Sequence, residues 1–340
     1  MEMKRLLFVS NEKKQVDTFW NESVTEKCRQ YGFDLDIPVL NPAFTPPDWP
    51  RLSEDYDALV TTWQSPRITA DFLKNSPRVK IIGHCAGSIA MIADDSTYST
   101  GVRIISANPM MSRSVAEWSL LATLLAQRNF EIYTSFGKNS PMNWDEHFNM
   151  GDIHRMTIGL WGLGDTTRHL LRLLTPLEPA RILITSEHST EADIQALGAQ
   201  KVSLETLLRE SDIFHCLVGC TPKTLGRIGR EELASMKAKA VFINCGRARL
   251  CQEDALIGEL KKKRIRAILD VFHKEPLPED SPLYALDNVI LTPHNAGFPG
   301  RGEYLLFILD EFHRFFNGEL PLCSEITLSR YKAMTIEALR

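Results

Sequence analysis

The stretch Thr157-Ile-Gly-Leu-Trp-Gly162-Leu-Gly164-Asp-Thr-Thr167 decides the fold. It reads as a buried strand, a glycine turn and the first residues of a helix. Gly162 permits a tight turn. Gly164 lets the backbone approach a pyrophosphate, which the helix N-terminus then holds through its N–H groups and dipole. The third glycine of the fingerprint is replaced by Thr167. Such a motif says little alone; here its position between a strand and a helix carries the reading. Asp165 places a negative charge beside the expected diphosphate, and its structural role is to favour the helix N-terminus. The hydroxyls of Thr166 and Thr167 are candidate donors to phosphate.

The next strand, Arg181–Thr185, should end near the adenosine ribose. It runs into Ser186-Glu187-His188. Ser186 stands where an acid is expected, which lifts the usual bar to a 2′-phosphate. Glu187 would repel that phosphate and no arginine adjoins it, so the balance tips slightly to NAD over NADP.

Further strands follow at Ile213–Leu217, Ala240–Asn244, Ala267–Asp270 and Val289–Thr292, giving six with Thr157–Leu160 and separated by helical patterns. A full dinucleotide-binding sheet needs six. Before this series lie Arg5–Val9, Leu35–Leu40, Ala58–Thr62, Val79–Gly83 and Ile104–Ser106, with helical patterns such as Val16–Tyr31 and Thr69–Asn75 between them. That βαβ rhythm predicts a second doubly wound α/β sheet. Ser114 and Glu117 form a capping-box pattern that predicts a helix from Ser114 to about Asn129. Phe136–Asp152 reads as a loop-like connection anchored by Trp144, and Arg301–Asn317 as an amphipathic helix.

Composition narrows the function classes. The chain has 340 residues, 44% hydrophobic and 24% charged, with a net charge of -4. Those values suit a globular protein of two domains and offer no basic field for nucleic acid. The seven cysteines include no Cys-x-x-Cys pair; neither a disulfide framework nor a metal site is expected, and a reducing, cytoplasmic setting is. The start, Met1–Ser10, has too short an apolar run for a signal peptide, and no membrane span is expected. The run Lys261–Arg264 reads as a solvated helix end.

Three ionisable residues stand out at or near strand ends: Arg247 in Asn244-Cys-Gly-Arg247, Glu275 in Leu269-Asp-Val-Phe-His-Lys-Glu-Pro276, and His294 in Leu291-Thr-Pro-His-Asn-Ala-Gly297. Strand C-termini converge on the ligand crevice of α/β proteins. A guanidinium, a carboxylate and an imidazole there can hold an anion and move a proton. The plainer readings are a surface arginine, a solvated loop acid and a structural histidine. Asp270 reads equally well as a strand-end cap. Trp63 reads as a pocket wall or a rim aromatic. His84 and Cys85 are neighbours that point opposite ways and lack an orienting third group, so they do not make a nucleophile–base pair.

Taken together, Ser114-Val-Ala-Glu117, Gly159–Gly164, Ser211-Asp-Ile, Thr221-Pro-Lys-Thr224, Phe242–Arg247, Leu269–Leu277 and Thr292–Gly297 resemble the D-isomer-specific 2-hydroxyacid dehydrogenase family. The resemblance implies two Rossmann-like domains. The outer, flavodoxin-like substrate domain would be discontinuous, residues 1–107 and 299–340. The dinucleotide-binding domain, residues 108–298, would be inserted and would form a homodimer. The active site would be the cleft between them. It implies NAD(P)-dependent interconversion of a 2-oxo acid and its (R)-2-hydroxy acid. Arg247 would grip the substrate carboxylate and keto oxygen, His294 would donate the proton, and Glu275 would hydrogen-bond the imidazole. A carboxylate beside an imidazole favours the charged ring. Asp270 would lie near the nicotinamide and the imidazole, Pro222 and Asn244 along the cofactor, and Ala86, Gly87 and Ser88 would offer N–H groups to the substrate. Two other readings stand beside it: a dinucleotide-sensing, corepressor-like binding protein, and a dehydrogenase of another small anion such as formate or phosphite.

Overall fold

The computed structural model describes residues 3–130, except 42, 44 and 46, and residues 151–334. The chain divides into two compact units. One comprises the chain up to Met111 together with the segment from Phe298; the other comprises Ser112–Gly297.

The first unit holds β1 (Lys4–Val9), β2 (Phe33–Asp36), β3 (Ala58–Thr61), β4 (Ile81–His84) and β5 (Arg103–Ser106). They form one parallel sheet in the order β2-β1-β3-β4-β5. Both faces of a doubly wound sheet are covered, so its strands read as continuous apolar runs. Leu6, Leu7, Phe8 and Val9 of β1 are fully buried, as are Ala58, Leu59 and Val60 of β3. The helix Gly302–Phe316 covers one face through Tyr304, Leu305, Ile308, Leu309 and Phe312.

The second unit holds β6 (Thr157–Trp161), β7 (Arg181–Thr185), β8 (Gln200–Lys201), β9 (Ile213–Cys216), β10 (Val241–Asn244), β11 (Arg266–Leu269) and β12 (Val289–Leu291), again parallel, in the order β12-β11-β10-β9-β6-β7-β8. The winding reverses between β6 and β9, the switch point at which such sheets bind ligands. Both units are therefore parallel α/β sheets of Rossmann type. Among the described residues, no helix is long and apolar enough to cross a membrane.

Several local expectations are corrected. Leu35–Leu40 is not one strand: β2 ends at Asp36 and Pro38–Leu40 is a 3-10 turn, because proline fixes φ and cannot donate to a ladder. The Val16–Tyr31 pattern is two helices, Lys13–Phe19 and Glu22–Tyr31, separated by extended backbone at Trp20 and Asn21. The long helix runs Asn108–Gln127, so Ser114 lies inside it and caps nothing. Pro109 explains the earlier start, since the first helical turn needs no N–H from it. The seventh strand, β8, carries no apolar signal in the sequence because its two residues are exposed and polar. Most of Phe136–Asp152, including Trp144, lies outside the described residues.

Candidate active site

The strand register brings distant residues together. Asn244 pairs with Leu269 in the β10–β11 ladder, and Leu269 pairs with Leu291 in the β11–β12 ladder. The segments that follow, starting at Cys245, Asp270 and Thr292, thus leave the sheet at one level. Each carries one of the three ionisable residues.

His294 Nδ1 lies 2.6 Å from Glu275 Oε2. The other oxygen, Oε1, accepts from Phe272 N–H at 3.0 Å. Burial pushes the Glu275 carboxyl upward. The His294 hydrogen bond, the Phe272 N–H and the charges of His294 and Arg247 outweigh it, so Glu275 sits below the ordinary glutamate value. Glu275 is therefore a carboxylate, an acceptor only, and the shared proton belongs to His294 Nδ1. Nε2 is left facing away from that bond. The His294 side chain is 47% exposed.

The backbone of His294 is held in the left-handed region at φ 51°. Its N–H donates to Thr292 O at 3.0 Å. A non-glycine residue there persists only where its surroundings impose it. Asp270 supplies that constraint. It is fully buried, and it accepts from Thr292 Oγ1 at 2.6 Å, Asn295 N at 2.9 Å and Ala296 N at 3.0 Å. Its place is therefore beneath the loop that carries the imidazole, where it works as a strand-end cap. Thr292, the residue that closes this clamp, was readable only as part of the Thr-Pro-His motif.

Asn244 also serves its own turn. Buried at the end of β10, it donates from Nδ2 to Arg247 O at 3.0 Å and accepts from Gly246 N at 3.1 Å. It shapes the loop that presents Arg247. The arginine donates from NH1 to Gly246 O at 2.7 Å, and its charge reaches Glu275, Cys220 and Cys245.

The glycine loop sits at the switch point. Gly162 has φ 105°, and a Cβ there would stand 2.9 Å from Val218 Cα, so no side chain fits between β6 and the segment after β9. A Cβ on Gly164 would meet nothing within 4 Å. The helix Asp165–Leu174 starts immediately beyond, with no side-chain cap. The backbone N–H groups of Thr166 and Thr167 have no acceptor among the described residues. Open space over uncapped helix N–H groups fits a pyrophosphate. Thr167 is corrected as a phosphate donor: its hydroxyl is buried and donates to Gly162 O at 2.9 Å, tying the helix to the loop. At the end of β7, Ser186 Oγ bonds Ser189 Oγ at 3.2 Å, and exposed Glu187 lies 3.8 Å from Lys223 Nζ. Pro222 is exposed beside that lysine.

This unit has a counterpart among known sequences. The family profile described as D-isomer specific 2-hydroxyacid dehydrogenase, NAD binding domain, matches residues 120–296. The chain belongs to the D-isomer-specific 2-hydroxyacid dehydrogenase family. Its second unit is thus an NAD-binding domain of Rossmann type, in a family of oxidoreductases that act on 2-hydroxy acids. The chain is 34% identical over 233 residues to glyoxylate/hydroxypyruvate reductase B of Yersinia pestis, covering 67% of this chain and 71% of that protein. It is 30% identical over 272 residues to D-3-phosphoglycerate dehydrogenase of Methanocaldococcus jannaschii, covering 78% of this chain and about half, 51%, of that protein. A crystal structure of a D-isomer specific 2-hydroxyacid dehydrogenase from Xanthobacter autotrophicus, in complex with NADPH and MES, has the same fold, with a TM-score of 0.77 over 97% of this chain and 99% of that one at 24% identity.

The remaining expected residues lie in the first unit. Ala86 and Gly87, just beyond β4, are buried, and Ser88 is half-buried. The N–H groups of all three have no acceptor among the described residues. Trp63, just beyond β3, packs on Phe19 with ring centroids 5.5 Å apart. His84 and Cys85 are fully buried. His84 Nδ1 lies 3.0 Å from Thr61 Oγ1, and burial pushes the Cys85 thiol far up, so neither acts as a nucleophile.

Proposed function

We propose that the protein reduces a small 2-oxo acid to its (R)-2-hydroxy acid with a nicotinamide dinucleotide, His294 being the proton donor. The observation that carries this is the 2.6 Å His294–Glu275 bond on a loop clamped by Asp270. A bound nicotinamide supplies the hydride for the 2-carbonyl carbon. Everything else falls to the chain. Glu275 fixes the ring and keeps the proton on Nδ1, which leaves the Nε2 proton for the carbonyl oxygen as it becomes a hydroxyl. Glu275 also offsets the positive charge of the imidazolium before transfer. Arg247 holds the carboxylate and the carbonyl oxygen, where negative charge grows in the transition state. The N–H groups of Ala86, Gly87 and Ser88 suit a carboxylate.

Gly162, Gly164 and the start of the Asp165–Leu174 helix would hold the pyrophosphate, with Ser186 and Glu187 toward the ribose. Glu187 favours NAD; the missing acid at Ser186 leaves NADP open. We read the first unit as the substrate domain. A homodimer through the second unit is supported by Leu121 and Leu124, which are exposed one turn apart on the helix Asn108–Gln127.

The test follows nicotinamide absorbance with NADH or NADPH and a panel of 2-oxo acids. Turnover is expected, with kcat falling at least ~10²-fold in His294→Ala while dinucleotide binding survives. Dinucleotide binding by folded protein, with no turnover of any member, would overturn the proposal.

A further inference from the structure

The first unit has its own switch point, between β1 and β3, since β1 pairs with β2 on one side and β3 on the other. Trp63 stands just beyond the end of β3 at that point. The guanidinium of Arg301 lies 4.7 Å from the Trp63 ring centre and 3.7 Å from that of Phe298. The Trp63 side of this platform is anchored in the core: Trp63 packs on Phe19, and Phe19 on Tyr304, both buried, while Phe298 is half exposed.

Two aromatic contacts leave only the edge of the guanidinium for hydrogen bonding. Five N–H donors lie along that edge. None finds an acceptor among the described residues, and no carboxylate pairs with the charge. Arg301 Nε is itself buried without a partner. Two neighbours are in the same condition. Thr62 Oγ1, in the residue before Trp63, is buried and unpartnered; so is Asn21 Oδ1, whose amide nitrogen donates to Gly302 O at 3.0 Å. Buried polar groups are ordinarily satisfied, and an orphan is costly to leave unpaired. A pre-formed fork with no protein partner, at a ligand-binding switch point, matches the planar geometry of a carboxylate or phosphate.

We propose that Arg301, braced by Trp63 and Phe298, is a specificity-determining residue that recognises a second anionic group, carboxylate or phosphate, on the 2-oxo acid. The inference rests on the reading of the protein as a 2-oxo acid reductase. It narrows the substrate class to doubly anionic acids.

The experiment compares matched probes on the full chain: 2-oxoglutarate against 2-oxopentanoate for a carboxylate, and 3-phosphohydroxypyruvate against hydroxypyruvate for a phosphate. Arg301→Met should lower the kcat/KM ratio of the charged to the uncharged partner by about 10-fold or more on one pair, with Arg301→Lys between, as expected for loss of a charge-assisted bidentate contact. The pair that responds identifies the group. A second readout needs no turnover. Titration with glutarate or inorganic phosphate should change tryptophan fluorescence saturably, and Arg301→Met or Trp63→Phe should abolish the change. Unchanged ratios on both pairs with no saturable fluorescence would overturn the proposal. A fluorescence response without turnover of any 2-oxo acid would leave the anion site standing and remove the reductase reading instead.

Discussion

Replacing Glu275 by glutamine tests the proposed chemistry most directly, because the carboxylate faces two donors. Phe272 N–H points at Oε1 from 3.0 Å and His294 Nδ1 at Oε2 from 2.6 Å. Glutamine has one acceptor oxygen and one NH2. If its oxygen serves Phe272, the NH2 meets Nδ1 and can bond only a ring without a proton there, and the imidazolium is excluded. If its oxygen serves His294, two N–H groups confront each other at Phe272. Either way one charge-assisted hydrogen bond is lost, about 1.5–3 kcal/mol, or ~10- to ~10²-fold in kcat/KM for reduction. Stability should change much less, since the Glu275 side chain is 36% exposed. The acid limb of stability offers a second check. The folded carboxyl titrates below its ordinary 4.5. Its contribution is thus fully present above that value and is lost as pH falls through the lowered one. The wild-type protein should lose this advantage over Glu275→Gln below about pH 4.5. Steady-state rates, dinucleotide affinity and melting curves across pH decide the matter. Wild-type kcat/KM in the variant, with folding and cofactor affinity intact, would refute the proton-donor geometry.

Gly162→Ala should cost both stability and dinucleotide binding, since φ 105° and a Cβ 2.9 Å from Val218 Cα allow no relief by side-chain movement; thermal melts and NADH titration check this, with wild-type affinity the contrary result. Fully buried His215 is pushed down to about 3 by burial, so its stabilising effect is complete above the unfolded value of 6.5 and is lost as pH falls through the window from 6.5 to about 3. Wild-type stability should therefore decline by up to ~1.4 kcal/mol per pH unit in that window, and His215→Gln should flatten the slope in urea titrations. Asp270→Asn should lower kcat more than dinucleotide affinity, because one of its three loop donors then meets an NH2; a variant with both parameters unchanged would remove the clamp role.

The second sheet was legible in the sequence because its strands are continuous apolar runs ending in short polar motifs. Gly162 and Gly164 were legible because the backbone conformations they permit are visible as residue types. What escaped depends on which partner a residue finds, near or far, and residue type alone does not announce it. Ser114 has the residues of a cap, yet Pro109 starts the helix earlier and leaves Ser114 mid-helix. Thr167 has a phosphate donor's hydroxyl, yet the nearest acceptor is Gly162 O within its own loop. Asp270 reads in sequence either as a ligand-facing acid or as a strand-end cap. Only the fold shows three donors closing over it. Arg301 gives no signal beyond preceding a helix; the rings that hold it come from Trp63 and Phe298.

Arg247, Glu275 and His294 converge through register, and this separates what positions them from the chemistry proposed for them. A parallel ladder that aligns Asn244, Leu269 and Leu291 delivers three segments to one level through backbone pairing alone, and the His294–Glu275 bond forms between segments already brought together. Fine placement is then done by hydrogen bonds within the chain. Asn244 ties Gly246 and Arg247 into a turn, Asp270 gathers Thr292, Asn295 and Ala296, and Phe272 N–H holds the second oxygen of Glu275. Asn244 and Asp270 are strand-end side chains that bind backbone or hydroxyl groups of the loops, and Phe272 N–H binds a carboxylate of its own loop. The left-handed backbone of His294 is the product of this arrangement. Loosening it leaves the three ionisable residues present in composition and absent in geometry. Variants at Asn244 and Asp270 should consequently resemble weakened versions of Arg247 and His294 variants, and combining them with those variants should add less than the sum of the single effects, because both members of each pair act on one loop.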